Sequence, residues 1–269
     1  MTQFIAISNQ KGGTGKTTSA VHVAAGAALY MGKKVLLVDV DPQANATNSF
    51  LAELPERYMT VEHLMKEAKL TELYQDVPDT YSRIRAEDIA LSVRENLDLI
   101  PADTKLEDVS VNYASVFGRE QLLRHSLGQI VDKYDLVVFD CPANFDLLTM
   151  NAFCIGKVDV FVPIECGCYS AKGFMKLVKK IKGIRAVNPE LKLKGAFVTK
   201  FDRREGISHK IWAFMYKNFR SALLDVKINI SSKIKDAPLT YKTVYELDSA
   251  SRGAQEYKRL TELILQTGA

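Results

Sequence analysis

One stretch near the start of the chain constrains the fold more than any other: Lys11-Gly12-Gly13-Thr14-Gly15-Lys16-Thr17-Thr18, set between the apolar run 4–7 and a run of mostly small residues, 19–29. This pattern reads as a strand, a tight turn and the start of a helix. The glycines let successive backbone N–H groups point into one concavity, and the helix N-terminus adds partial positive charge, so the loop is shaped for a phosphate group. Lys16 is placed to reach the β- and γ-phosphates of a nucleotide, and the Thr17 hydroxyl to ligate Mg²⁺. The alternative, a glycine turn with lysines for solubility, does not call for six fixed positions at this spacing.

A chain of 269 residues with 47% hydrophobic content can bury a sizeable core, and one α/β domain spanning 1–269 is expected. No apolar run approaches the roughly 18 residues of a membrane span. Residues 1–3 lead into a strand without a basic n-region or cleavage site, so a cytoplasmic location is expected. The four cysteines, Cys141, Cys154, Cys166 and Cys168, fit no disulfide framework and are expected to be reduced. Cys166-Gly-Cys168 could suggest a metal, but the close C-x₂-C and His spacings of zinc sites are missing.

The formal net charge of +4 hides an asymmetry. Residues 1–171 carry 15 Lys and Arg against 23 Asp and Glu, whereas residues 172–269 carry 21 against 9. A basic C-terminal third points to an anionic partner, nucleic acid or a membrane surface, with solvated helix faces as the bland alternative.

In chain order, a strand over 3–8 is followed by a helix over 16–30, ended by Gly32. The run Val35-Leu36-Leu37-Val38 is continuously apolar, as in a parallel strand buried on both faces. Strand, helix and strand make a βαβ unit. The second strand leads into Asp39-Val40-Asp41-Pro42-Gln43-Ala44, at the sheet end where α/β proteins place ligands. Residues 50–96 say least: an amphipathic helix over 61–73, a polar stretch with Pro78, Asp79 and Thr80, otherwise peripheral helices and loop. Further strands are expected over 97–102, 134–140, 158–163, 193–199 and 226–230, with helices near 120–133 and over 171–186, 207–219 and 249–265. Asp140 closes a buried strand, a position from which a carboxylate near a phosphate loop holds Mg²⁺ or its water; a helix cap is the alternative. The alternation implies an α/β fold, a mostly parallel twisted sheet with helices on both faces.

The usual phosphate-loop pattern, G-x-x-x-x-G-K-[ST], asks for glycine where Gln10 stands and does not ask for Lys11. Lys-Gly-Gly-x-Gly-Lys-Thr instead resembles the deviant Walker A box of the ParA/MinD ATPases, a group of P-loop NTPases. Asp39-Val40-Asp41-Pro42-Gln43 is similar to the switch I box of the ParA branch, with Ala44 where that branch commonly has glycine. Pro163-Ile164-Glu165 resembles the family's segment there. Residues 231–238 resemble its Leu-Ser-Glu-Ala-Pro segment, here Lys-Ile-Lys-Asp-Ala-Pro. The likeness covers nearly the whole chain and is weakest over 50–96.

The resemblance implies ATP and Mg²⁺ binding, an ATP-dependent sandwich homodimer, DNA binding without sequence preference, and slow ATP hydrolysis stimulated by a ParB-like or cargo-adaptor protein. Carried over by position, Gly12, Gly13, Thr14, Gly15, Lys16, Thr17 and Thr18 would cradle the nucleotide. Lys11 would cross the dimer interface to the other subunit's phosphates, Lys16 would act in cis, and Asp41 would orient the attacking water. Thr17 and Asp140 would hold the metal. Arg203, Arg204, Lys233 and Lys235 are the candidates for DNA, with Lys172 a further one, and the protein would be nucleoid-associated with no stable membrane association. Some members carry an N-terminal operator-binding extension, for which a loop starting at Lys11 leaves no room. The cargo is not legible. Three rivals share parts of the pattern: a MinD-like membrane ATPase, which should end in a basic amphipathic helix; a nitrogenase-reductase-like iron–sulfur protein, which the cysteine positions do not suit; and a GTPase, because Thr199-Lys200-Phe201-Asp202 matches a T-K-x-D box.

Overall fold

A computed structural model describes residues 2–55, 58–73, 86–128, 130–167 and 170–268. Eight strands form one sheet: β1 (Gln3–Ile7), β2 (Val35–Asp39), β3 (Leu91–Arg94), β4 (Leu97–Ile100), β5 (Leu136–Asp140), β6 (Val158–Glu165), β7 (Lys192–Phe201) and β8 (Leu223–Asn229). Their order is β3-β4-β2-β5-β1-β6-β7-β8, and every pairing is parallel except β3 with β4. The continuous apolar runs of β2 and β5 are buried at every position, yet they still alternate between two cores. Leu36 and Val38 point into one, with Val137 and Phe139; Val35 and Leu37 point into the other, with Leu136 and Val138. Both faces are covered, as parallel sheets require.

One face is covered by helix α1 (Lys16–Met31) and the closing helix, which is Arg252–Gly268. Gly26 lets the two approach: a Cβ there would stand 2.7 Å from the Tyr245 hydroxyl and 2.9 Å from that of Thr261. Gly32 ends α1 in the left-handed conformation, φ 59°, with its N–H on the Ala27 carbonyl, the C-terminal stop the sequence indicates. The closing helix spends its apolar stripe, Tyr257, Leu260 and Ile264, on this core. Its amphipathic pattern therefore describes a packed helix, and that stripe is not available to a membrane surface. Helices Val61–Leu73, Leu147–Phe153 and Ser170–Ile184 lie on the opposite core.

Two expectations need correction. Residues 91–94 were expected in helix or loop and instead form an antiparallel edge strand. It is joined to β4 through Glu95 and Asn96, with Asn96 at φ 58° as a tight hairpin turn demands. The single helix expected over 120–133 is broken into a 3₁₀ turn (Arg119–Gln121), a helix of under two turns (Leu122–Leu127) and a second 3₁₀ turn (Val131–Lys133). Gly128 follows the middle piece and lowers the helical tendency there. Pro78, Asp79, Thr80 and Cys168 lie outside the described residues. Among the described residues no helix is long and apolar enough to cross a membrane.

Candidate nucleotide site

Strand order builds the site. Because β5 lies between β1 and β2, its terminal Asp140 is flanked by Ile7 and Asp39 at the ends of its neighbours. The phosphate loop leaves β1 and the Asp41 segment leaves β2, so both loops rise beside Asp140. Between them opens a cleft of about 700 Å³ lined by Gly12, Gly13, Gly15, Lys16, Thr17, Thr18 and Asp41. Pro238, Leu239, Tyr241 and Lys242 form part of its rim.

Gly15 adopts φ 83° as the N-cap of α1, a conformation that favours glycine. No side chain caps that helix, and the first-turn N–H groups of an uncapped helix are donors for an anion. Lys16 is buried, and its Nζ donates to the Lys11 carbonyl at 3.4 Å. The loop is tied from both sides. Asn9 Oδ1 accepts the Lys11 N–H at 3.1 Å while Asn9 Nδ2 donates to the Pro163 carbonyl, and the Thr199 hydroxyl donates to the Thr14 carbonyl at 2.7 Å. Lys11 Nζ is ion-paired with Glu165.

The two carboxylates at the strand ends differ in what surrounds them. Asp39 is fully buried and satisfied: it accepts the Thr47 N–H and hydroxyl, each at 2.8 Å, and the Asp41 N–H at 3.1 Å. Burial raises its pKa to about 6, with those bonds acting in the opposite direction. Asp140 is equally buried, and neither oxygen has a hydrogen-bond partner at good geometry, although the Thr17 hydroxyl lies beside it. Burial lifts its pKa well above the usual range and the neighbouring Asp39 adds to the rise, while the Thr17 hydroxyl and the Lys16 ammonium oppose it. A buried acceptor left without a donor is costly. A divalent cation beside Thr17 would satisfy Asp140. Among the described residues no group of three or more His, Cys, Asp or Glu could hold a metal by itself. A Mg²⁺ held by one carboxylate, a hydroxyl and substrate phosphates needs no such group. Cys141 and Cys154 are buried thiols.

Asp41 lies on the cleft wall, its Oδ1 accepting the Gln43 N–H at 3.0 Å. Ala44 is left-handed, φ 51°, which explains why a glycine suits this position. Asp39 has no assigned role in the sequence reading although it stands inside the switch box; the structure makes it the anchor of that segment. His22 is a second omission. Its Nδ1 lies 2.6 Å from the Thr18 carbonyl, its Nε2 accepts the Val244 N–H at 3.0 Å, and its ring stacks on Tyr257. It thereby pins the phosphate-loop helix to the chain that follows the cleft rim. Burial lowers its pKa to about 4.

The T-K-x-D stretch divides. Thr199 and Lys200 pack on the phosphate loop, but the Asp202 carboxylate accepts both the side chain and the backbone N–H of Arg204, at 2.8–3.0 Å. Lys200 lines the cleft and Asp202 does not, so this geometry offers no free carboxylate to a guanine base.

The proposed DNA contacts do not form one cluster. Arg203 lines a second cleft of about 480 Å³ with His209, Lys227, Asn229 and Arg252 beside β8. Arg204 is turned onto Asp202. Lys233 and Lys235 are exposed on the short helix Ser232–Asp236, which packs through Ile234 against Gly253. Lys172 lies on helix Ser170–Ile184, its side chain outside the description.

The AAA domain family matches residues 2–193. The chain is 32% identical over 269 residues to the sporulation initiation inhibitor protein Soj of Bacillus subtilis strain 168, covering 100% of both chains. It is 31% identical over 267 residues to the chromosome partitioning protein ParA of Caulobacter vibrioides, covering 98% of this chain and 94% of that one. A solved structure of cobyrinic acid a,c-diamide synthase from Mycobacterium smegmatis with a bound ATP analog and magnesium superposes with a TM-score of 0.81 at 25% identity, covering 99% and 95% of the two chains. With a phosphate loop carrying Lys11 and Lys16, an Asp-x-Asp-Pro-Gln segment leaving β2 and a mostly parallel sheet in this order, the chain belongs to the ParA-type partition ATPases of the deviant Walker A (ParA/MinD) family.

Proposed function

We propose that the protein, acting as one ATPase unit, hydrolyses ATP with Mg²⁺ in an ATP-dependent sandwich homodimer. On this reading the dimer binds DNA without sequence preference, and a ParB-like or cargo-adaptor protein stimulates hydrolysis on the nucleoid. The observation that carries the reading is the buried Asp140 carboxylate, which no donor satisfies at good geometry, beside Lys16 and Thr17. A divalent cation between Asp140 and Thr17 would answer that burial, and the solved relative with an ATP analog and magnesium supports that pair of ligands.

In the mechanism, the loop N–H groups and the Lys16 ammonium bind the β- and γ-phosphates, and Thr17 and Asp140 would hold Mg²⁺. Bound there, the ion would neutralise charge that builds on the phosphate oxygens. Asp41, with Oδ1 held by Gln43, orients a water through its other oxygen for in-line attack on the γ-phosphorus. The water oxygen–phosphorus bond forms, the bond to the bridging oxygen of ADP breaks, and the water's proton is taken up by phosphate or solvent. Lys11 from the second subunit adds positive charge to the same phosphates. The test is sedimentation velocity with ATP or ADP, with and without DNA, alongside phosphate release. Dimerisation and DNA binding with ATP alone are expected; identical behaviour in the two nucleotides overturns the reading.

A further inference from the structure

Glu165 closes β6 at the rim of the cleft and meets two lysines at once. Its Oε2 pairs with Lys11 Nζ, and its Oε1 lies 3.5 Å from Lys200 Nζ. Backbone geometry fixes all three. Asn9 joins the Lys11 N–H to the Pro163 carbonyl, two residues before Glu165. Glu165 and Thr199 are register partners on β6 and β7, and Thr199 is bonded to the loop. Lys200 follows in the left-handed conformation, φ 50°, a strained state for a residue with a side chain. Its ammonium sits over the loop, 3.8 Å from where a Cβ on Gly13 would stand.

We propose that Glu165 is a cis latch on Lys11, parking its ammonium against the chain's own sheet until the dimer forms, and that Lys200 sets the latch's strength by sharing the carboxylate. The proposal rests on the reading of Lys11 as the lysine that crosses the interface. One carboxylate charge divided between two ammonium groups holds each less tightly than it would hold one. When Lys11 leaves, Lys200 keeps Glu165 neutralised, so no bare carboxylate faces the incoming phosphates. The lysine side chains are 51% and 48% exposed, which puts the pairs in the weak, solvent-screened range that a reversible latch needs. Glu165 is thus a positioning residue, acting through Lys11. Each dimer opens two latches, so the effect of one enters twice.

Glu165→Gln and Lys200→Met test this in two ways. In nucleotide-free protein, acetic anhydride labelling read by mass spectrometry reports on Lys11, with Lys16 as the internal reference, because the reagent takes only the neutral amine and a carboxylate partner favours the protonated form. Glu165→Gln should raise Lys11 labelling severalfold relative to Lys16, and Lys200→Met should lower it. In sedimentation velocity with ATP, Glu165→Gln should bring the dimerisation midpoint to a protein concentration about threefold to tenfold lower, the square of a weak surface pair. Lys200→Met should raise the midpoint, the double variant should follow Glu165→Gln, and ATP affinity of the Glu165→Gln monomer should not move. Unchanged Lys11 labelling in Glu165→Gln, or a dimer no tighter than wild type, overturns the latch. Should wild type stay monomeric with ATP, the dimer reading fails instead, and the labelling comparison still judges the contact.

Discussion

The carboxyl ends of β5, β1 and β2 and the edge formed by β7 and β8 carry the two halves of the proposed cycle, and they are built in opposite ways. At the first, Lys16, Asp39 and Asp140 are buried, strand register sets the positions of the two carboxylates, and Asp140 has no hydrogen-bond partner at good geometry. At the second, Arg203, Arg204, Lys233 and Lys235 are exposed on loops and a five-residue helix, and one of them is already spent on Asp202. Phosphoryl transfer needs charges fixed to within a fraction of an ångström, whereas sequence-independent DNA binding needs only enough cations near the phosphates. One region should therefore fail at single positions and the other should lose affinity in small steps.

Lys16→Ala is the sharpest way to break that contrast. Removing the buried ammonium takes away the strongest charge-assisted bond to the phosphates, and ATP binding should fall below detection in calorimetry while the fold, read by circular dichroism, persists. Micromolar affinity in this variant would leave the first region no more brittle than the second. Asp41→Ala should separate binding from turnover. Its carboxylate acts chiefly in the transition state, so hydrolysis with DNA and partner present should drop by about 10² or more while ATP binding, dimerisation and DNA binding remain. A rate within about threefold of wild type removes Asp41 from the water-positioning role.

What the sequence made legible follows the same divide. The phosphate loop, its helix and the strands on either side are encoded locally, in glycine spacing and continuous apolar runs, and they fold as those signals indicate. The charge state of Asp140 and the anchoring by Asp39 depend on β5 lying between β1 and β2, an arrangement set by long-range pairing. His22 offered no signal beyond a lone histidine in a small-residue helix, since its partner Val244 lies more than 200 residues away. Thr199 and Lys200 were noticed, but as a box for reading a base; only the tertiary packing turned them toward the loop. On the basic side the count of lysines and arginines was readable, but the capture of Arg204 by Asp202 was not.

His22 gives the next prediction. Its pKa is near 4 in the folded chain against 6.5 for an ordinary histidine, so the unfolded chain takes up the proton first. The stability it contributes is complete above about pH 6.5 and is lost as pH falls toward 4; by pH 5 the loss is on the order of 2 kcal/mol. Asp39, raised to about 6, acts with the opposite sign over the same window, so the measurement is a difference. Urea unfolding of wild type and His22→Asn at pH 7.5 and pH 5 should show the wild-type advantage shrinking at the lower pH. A constant difference would mean that the imidazole does not have to stay neutral to pin α1 to Val244.

The smallest expected effect distinguishes two adjacent arginines. Arg203 lines a cleft with Lys227, Arg252 and Asp225 and has no carboxylate paired with it among the described residues, whereas the Arg204 guanidinium is held by both oxygens of Asp202. Each phosphate contact releases condensed counterions and adds close to one unit to the slope of log K against log salt. Arg203→Ala should therefore lower that slope by about one in the ATP state. Arg204→Ala should leave the slope unchanged and weaken binding only through the Asp202 charge it uncovers, so the Arg204→Ala, Asp202→Ala pair should restore affinity to near wild type. The measurement is fluorescence anisotropy with a labelled duplex across a salt series. An equal loss of slope in both single variants would show that Arg204 abandons Asp202 for the DNA, and the basic edge would then reorganise on binding rather than act as a fixed array of charges.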